Sequence, residues 1–433
     1  MASGPGTEDG REPAAWAAQG DIRTQEERVS DNARTIERRA FIKTGLAGLA
    51  AVGGASTLQA CHGQSLAGEA SGPKPIVRTL GRTGLKMPVV SMGVMNADNP
   101  AVVQAALETG IVMLDTAWGY QRGRNEQMIG EVIKGRPRDS YIIATKIPGP
   151  GRDKAMQGLT GGAFEKAFLS KFDESLGRLG LDHVEILYLH NNTTAETVQD
   201  PAVIAALQKV KKAGKTRFIG ITTHGNEPAV IRATIATKAY DVILTGYNFQ
   251  KDYREDLRKA VAEATAAGLG IVAMKTQAGA FWDKAKTQPI NMRAALKWVL
   301  NDRNVTTAIP GFTTFDQLKE DWSVVTDIRL TPEDLKDLRL GEPVAGLYCQ
   351  HCERCLPGCP KGLPIPDLMR GYMYAYGYRN LQAAHELVAS LDLDDDPCGG
   401  CDSCAAVCAK GFDIADRVRD ISRLRAVPGD FFA

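Results

Sequence analysis

From Ile76 onward, short apolar runs alternate with stretches in which apolar residues recur every three to four positions. The runs are Val89–Val94, Ile111–Ala117, Tyr141–Lys146, Val184–His190, Phe218–Thr222, Val242–Tyr247, Ile271–Lys275 and Thr307–Gly311, eight in all. Bounded apolar runs of this length read as strands buried on both faces. Between them Asn125–Lys134, Ala163–Leu179, Pro201–Ala213, Asp256–Ala267 and Ala294–Leu300 follow the helical period. Gly110, Gly180, Gly214 and Gly268 stand where helix C-caps would fall. Eight strand–helix units within residues 76–340 predict a (β/α)8 TIM barrel, for which about 250 residues is typical. A doubly wound sheet fits less well, because no Gly-rich phosphate turn follows the first run. Before the barrel, Ile76–Pro88 alternates around Gly81 and Gly84 and reads as a hairpin.

Upstream the pattern disappears. Residues 1–37 are rich in Gly, Ala, Glu and Arg, have no apolar period and read as disordered. Residues 38–61 begin Arg38-Arg39-Ala40-Phe41-Ile42-Lys43 and continue in a weakly apolar stretch too short to span a bilayer stably. This segment resembles a twin-arginine (Tat) export signal. It implies a protein exported already folded, periplasmic or anchored on the outer side of the inner membrane. Leu58-Gln59-Ala60-Cys61 resembles a lipobox, which would make Cys61 a lipid anchor; ordinary cleavage near Ala60 is the alternative. Residues 62–75 read as a linker rich in Gly, Ser and Pro.

Composition adds exclusions. The 433 residues are 44% apolar and 24% charged, ordinary globular values, with a formal net charge of +1. No global field favours nucleic acid or an acidic membrane surface, so the membrane enters only through export or an anchor.

In a barrel, chemistry sits at the C-terminal strand ends. The second run ends Leu114-Asp115-Thr116-Ala117-Trp118-Gly119-Tyr120, the third Ala144-Thr145-Lys146 and the fourth Leu187-Tyr188-Leu189-His190. Asp115, Tyr120, Lys146 and His190 therefore reach one mouth, whereas His183 lies before its strand and reads as structural. The set resembles the catalytic tetrad of the aldo/keto reductases over residues 76–340, including Ile309-Pro310-Gly311 at the eighth strand. The resemblance implies an oxidoreductase acting on a carbonyl or alcohol. Tyr120 would be the general acid, its proton made easier to give by Lys146; Asp115 would compensate Lys146, and His190 would orient the substrate oxygen.

The same resemblance implies NAD(P)(H), with contacts from Thr222, Thr223, Lys275, Pro310, Gly311, Thr313, Thr314, Gln317 and Asp321. The match weakens here. Thr222-Thr223 stands for a Ser-Asn pair, Met274 for a stacking aromatic, and Gly311 and Gln317 for the cations that bind the 2′-phosphate of NADP.

Eight of nine cysteines crowd into residues 341–433, as Cys349-x2-Cys352-x2-Cys355-x3-Cys359-Pro360 and Cys398-x2-Cys401-x2-Cys404-x3-Cys408. This is the bacterial ferredoxin spacing for two four-iron–four-sulfur (4Fe–4S) clusters. Its rule assigns Cys349, Cys352, Cys355 and Cys408 to one cluster and Cys398, Cys401, Cys404 and Cys359 to the other. Structural zinc usually takes pairs set a dozen or more residues apart instead. Residues 341–433 thus resemble an α-helical ferredoxin-like domain, with Ile365–Leu391 as its helical insert. The whole resembles bacterial aldo/keto reductase-like proteins with such a C-terminal domain, in which clusters relay electrons from a redox partner protein. The alternative is an electron-transfer protein whose barrel no longer moves hydride.

Overall fold

The computed structural model describes residues 73–433 except 151–155, 157, 284, 341, 343–346, 402 and 433. Residues 1–37, expected to be disordered, residues 38–61 that resemble an export signal, Cys61 among them, and all but the last residues of the expected linker lie outside the described residues. Residues 74–433 group into one unit.

A two-stranded antiparallel hairpin, β1 (Val77–Thr79) and β2 (Lys86–Pro88), opens the fold. Gly81 in its turn has φ +48°, and a Cβ there would meet the Gly270 backbone at 2.4 Å, so the hairpin rests directly on the barrel floor. Eight parallel strands follow: β3 (Met92–Gly93), β4 (Met113–Asp115), β5 (Ile142–Pro148), β6 (Val184–His190), β7 (Thr216–Thr223), β8 (Val242–Gly246), β9 (Gly270–Met274) and β10 (Thr307–Ala308). They pair in sequence order, and a parallel bridge between Val90 and Ala308 brings the last back to the first. The eight apolar runs and the hairpin each correspond to one of these elements.

The helices between them are α1 (Pro100–Thr109), α2 (Arg124–Ile133), α3 (Gly161–Leu179), α4 (Ala195–Gln199), α5 (Pro201–Lys212), α6 (Glu227–Thr237), α7 (Arg254–Ala266) and α8 (Met292–Leu300), with α9 (Phe315–Trp322) and α10 (Pro332–Asp337) after β10. Gly110 and Gly180 are left-handed C-caps, while Gly214 and Gly268 lie one residue past theirs. The helical period does not mark α6, because Glu227 and Thr234 are buried beside Val230, Ile231 and Ala233 while Ala229 and Ala236 are exposed, which leaves no one-sided apolar stripe.

Strand alternation sorts the core into two layers. Met113, Ala144, Ile186 and Tyr188 point into the barrel, plugged below by Leu80 and Met87. Leu114, Ile143, Ile147, Leu187 and Leu189 point outward against helix residues such as Phe164, Phe168 and Leu207. After the barrel, α11 (Ile365–Tyr376), α12 (Leu381–Ser390) and α13 (Ile414–Ser422) pack around Leu368, Ala384, Val388, Val418 and Ile421. The stretch Ile365–Leu391, expected to be helical, forms two helices. The chain turns at Gly377–Asn380, and the Asn380 side chain caps the second by accepting from the Ala383 amide.

Candidate active site

The period of two that fills the barrel also aims the polar residues. Asp115 shares a face with Met113, Lys146 with Ala144, and His190 with Ile186 and Tyr188, so each caps an inward stack at the C-terminal end. Register places Asp115 opposite Ala144 and Lys146 opposite Tyr188. Asp115 and Lys146 are each 2% exposed and form an ion pair. The Lys146 ammonium also donates to the Thr116 carbonyl at 2.6 Å and to the Tyr120 hydroxyl at 3.3 Å. Tyr120 opens a tight turn in which Gln121, Arg122 and Gly123 all have positive φ, and its ring meets His190 edge-on at 5.9 Å.

Neighbours hold this turn. The Asn125 amide donates to the Val94 carbonyl at 2.7 Å and its oxygen accepts from Thr116, while buried Glu126 accepts from Thr145 at 2.7 Å and pairs with Arg178. Arg178 in turn donates to the Trp118 carbonyl at 2.9 Å. The sequence assigns no role to Glu126 or Arg178, although Asn125-Glu126 follows the Tyr120 turn.

Burial, followed by the Asp115 charge, pushes the Tyr120 hydroxyl well above its usual range. This departs from the expectation that Lys146 favours the phenolate. Burial also lowers Lys146 and raises Asp115, and each opposes that shift in the other, so the cation is spent on its carboxylate.

The four residues line one cavity of about 1110 Å³. Its other wall comes from the C-terminal segment: Tyr348, Cys349, Gln350, His351, Arg370 and Tyr374 all face it. Arg370 donates to the Asn191 side chain at 2.9 Å, and Asn380 donates to that of Asn96 at 2.8 Å. The α-helical segment therefore caps the barrel mouth.

Residues 91–294 match the aldo/keto reductase family. The chain is 30% identical to the L-galactose dehydrogenase of Arabidopsis thaliana over 63% of its own length and 96% of that enzyme's. The chain belongs to the aldo/keto reductase family. An uncharacterized oxidoreductase of Bacillus subtilis, YqkF, is 26% identical over 60% of this chain and 95% of its own. The structure of an aldo-keto reductase from Bacillus halodurans, AKR11C1 in its holo form, superimposes with a TM-score of 0.51 at 25% identity. It covers 64% of this chain and 99% of that one, which leaves about a third of this chain beyond it. The protein is an oxidoreductase on the aldo/keto reductase barrel.

Of the residues expected to contact a nicotinamide, Thr222, Lys275, Pro310, Gly311, Thr313 and Gln317 line the cavity; Thr223, Thr314 and Asp321 do not. Several already have partners. The Thr222 hydroxyl accepts from the Asn191 amide at 2.7 Å, and that of Thr223 donates to the Gly225 carbonyl. Gln317 accepts from the Thr313 amide at 2.9 Å, Thr314 caps α9, and Asp321 accepts from Gln277 at 2.7 Å. Lys275, on left-handed backbone, points its ammonium at the rings of Tyr374 and Tyr378, at 5.5 and 5.6 Å. Burial, then the nearby Arg370 charge, pulls it down to about 7. The volume and this cation suit a dinucleotide, but the described barrel residues place no Arg or Lys at Gly311 or Gln317.

The eight cysteines of the C-terminal segment form no disulfide, and seven of them are half-buried while Cys404 is exposed. The structure brings Cys352, Cys355 and Cys408 close to Cys349, whose thiol is pushed up to about 12 by burial and then by these neighbours. The amides of His351 and Lys410 donate to the Cys349 and Cys408 sulfurs at 3.3 and 3.4 Å. A second, smaller cavity is lined by Cys359, Cys398, Cys401 and Cys404. Among the described residues, no three His, Cys, Asp or Glu side chains converge as one metal ion would need. Thiolates that each bind a different iron of a cube stand further apart than ligands of one ion.

Proposed function

We propose that this aldo/keto reductase interconverts a carbonyl and an alcohol at the barrel mouth, using NAD(P)H and linked to two 4Fe–4S clusters in the C-terminal segment. The observation that carries the reading is the convergence of Tyr120, Lys146, Asp115 and His190 on one cavity from successive strands. Tyr120, held protonated by burial, gives its proton to the oxygen of the carbonyl as negative charge develops there. Lys146 fixes the hydroxyl at 3.3 Å. Asp115 keeps Lys146 charged in a dry site, and His190 orients the substrate oxygen.

When bound, a nicotinamide supplies hydride to the substrate carbon. Lys275 would face its phosphates, with Thr222, Pro310, Gly311 and Thr313 along it. The absence of Arg or Lys at Gly311 and Gln317 favours NADH over NADPH. Each cluster supplies one-electron transfer. Cys349, Cys352, Cys355 and Cys408 hold one, supported by their grouping and by the two amide–sulfur hydrogen bonds. Cys359, Cys398, Cys401 and Cys404 hold the other, supported by their shared cavity. Export through Arg38-Arg39, to the periplasm or to an anchor at Cys61, places the protein where no free NAD(P)H pool is expected. The two electrons and one proton that regenerate a resident nicotinamide would then come from a redox partner protein, one electron at a time, and from solvent.

A second reading, an electron-transfer protein with a silent barrel, draws on the partners already taken by Thr222, Thr223 and Gln317. Turnover of a panel of small aldehydes by protein purified without oxygen separates the two. Tyr120→Phe is expected to lower kcat by at least 10²-fold, the scale of a lost general acid, with circular dichroism unchanged. Retention of parental turnover by this variant would remove the tetrad from the mechanism.

A further inference from the structure

The loop after β8 forms a socket for the first cysteine run, and it is built from buried charge. The Lys251 ammonium, 4% exposed, pairs with fully buried Glu227 at 2.7 Å. It donates to the main-chain carbonyl of Gln350 at 3.2 Å and to the Tyr253 hydroxyl at 3.0 Å. Glu227 accepts from the Tyr253 hydroxyl at 2.6 Å, and that hydroxyl lies 3.3 Å from the same carbonyl. The Asn248 amide donates to the Gln350 side-chain oxygen at 3.3 Å. At the rim, Asp252 pairs with Arg354 of the first run at 2.5 Å and with Lys410 beyond the second at 2.7 Å.

Gln350 is the residue between Cys349 and the His351–Cys352 step. A buried cation is therefore fixed, through one carbonyl, beside the loop that carries two thiolates. A buried ion pair is costly to assemble, and packing the loop did not require one. The potential of an iron–sulfur centre is set by nearby charge, by hydrogen bonds to its sulfurs and by exposure. The positive end of the Lys251–Glu227 dipole faces this loop. The cavity of Cys359, Cys398, Cys401 and Cys404 is lined by two other cations, Lys361 and Arg419, so the Lys251–Glu227 pair belongs to the first run alone. Cys349, Gln350 and His351 also line the mouth cavity with Tyr120, whereas that second set does not.

We propose that Lys251 and Glu227 are positioning residues that raise the reduction potential of the cluster on Cys349, Cys352, Cys355 and Cys408. The Cys359, Cys398, Cys401 and Cys404 cluster is the outward one, since none of its cysteines lines the mouth cavity. This inference rests on the two-cluster reading.

The test is a potentiometric titration of the full chain with dithionite, followed by electron paramagnetic resonance. Cys404→Ser marks the outward signal. Glu227→Gln, which leaves Lys251 uncompensated, is expected to raise the midpoint of the other cluster. The charge-free double variant Lys251→Met/Glu227→Gln is expected to lower it below the parent, with the outward midpoint unmoved in both. A merely structural pair would shift neither cluster, or both together, and either result overturns the proposal. Parent protein without the iron and acid-labile sulfide of two clusters would instead end the two-cluster reading itself.

Discussion

Tyr120 and Lys146 show how one residue's setting reverses an expectation drawn from residue type. A lysine beside a tyrosine suggests a phenol made more acidic. In the fold, Asp115 takes the ammonium and burial dominates, so the hydroxyl moves the other way. The hydroxyl is thereby kept in its protonated form, the form a general acid needs. Asp321 is a second buried acid, 3% exposed, with Gln277 as its side-chain partner. Burial raises it to about 7. In the unfolded chain it ionises near pH ~4, so between about pH 4 and 7 the folded state holds a proton that the unfolded state has released. Stability then falls as pH rises through that window. Asp321→Asn is expected to change little near pH ~4 and to stabilise on the order of 2–4 kcal/mol above pH ~7, at about 1.4 kcal/mol per pKa unit. Urea midpoints at the two ends check this, and an equal gain at both would show that Asp321 titrates normally.

At the scale of elements, the turn from β7 into α6 carries the docking of the C-terminal segment. A Cβ on Gly225 would lie 2.1 Å from the His351 ring, so this turn admits His351 only as glycine. His351 also meets the Arg370 guanidinium at 3.3 Å. Gly225→Ala is expected to displace the 349–355 loop and speed its cleavage by protease several-fold, while barrel unfolding shifts by 1–3 kcal/mol at most, the usual scale of overpacking. Hydrogen exchange confined to the 349–355 loop and α11 would mark the same opening; unchanged protection there would mean that the loop finds room. Strands were legible because each is a bounded apolar run, and helices such as α3 because one face is apolar. Helix α6 was not legible because its exposed face carries Ala229 and Ala236 while its buried face carries Glu227 and Thr234, so polarity does not separate the two. The tetrad was legible because strand ends are punctuated by polar residues. The Glu126–Arg178 support was not, since it joins residues 52 apart with no shared pattern.

For the whole molecule, local spacing reveals the cysteine runs but says nothing of where they dock. The cap over the mouth rests on contacts such as Arg370 to Asn191 and Asn380 to Asn96, which are 179 and 284 residues apart. That closure bears on export. A mouth walled by the C-terminal segment exists only once both parts have folded, and the proposed clusters, held by thiolates from two distant runs, would form only in a folded chain. A threaded, unfolded route would therefore lose any cluster assembled in the cytoplasm. The folded-protein route proposed from Arg38-Arg39 would suit such a molecule. Arg38→Lys/Arg39→Lys is expected to leave the protein in the cytoplasm, uncleaved, with iron and sulfide unchanged, as read by fractionation and mass spectrometry. Cleaved protein outside the inner membrane in that variant would show that the pair does not direct export, and the need for prior folding would have to be met another way.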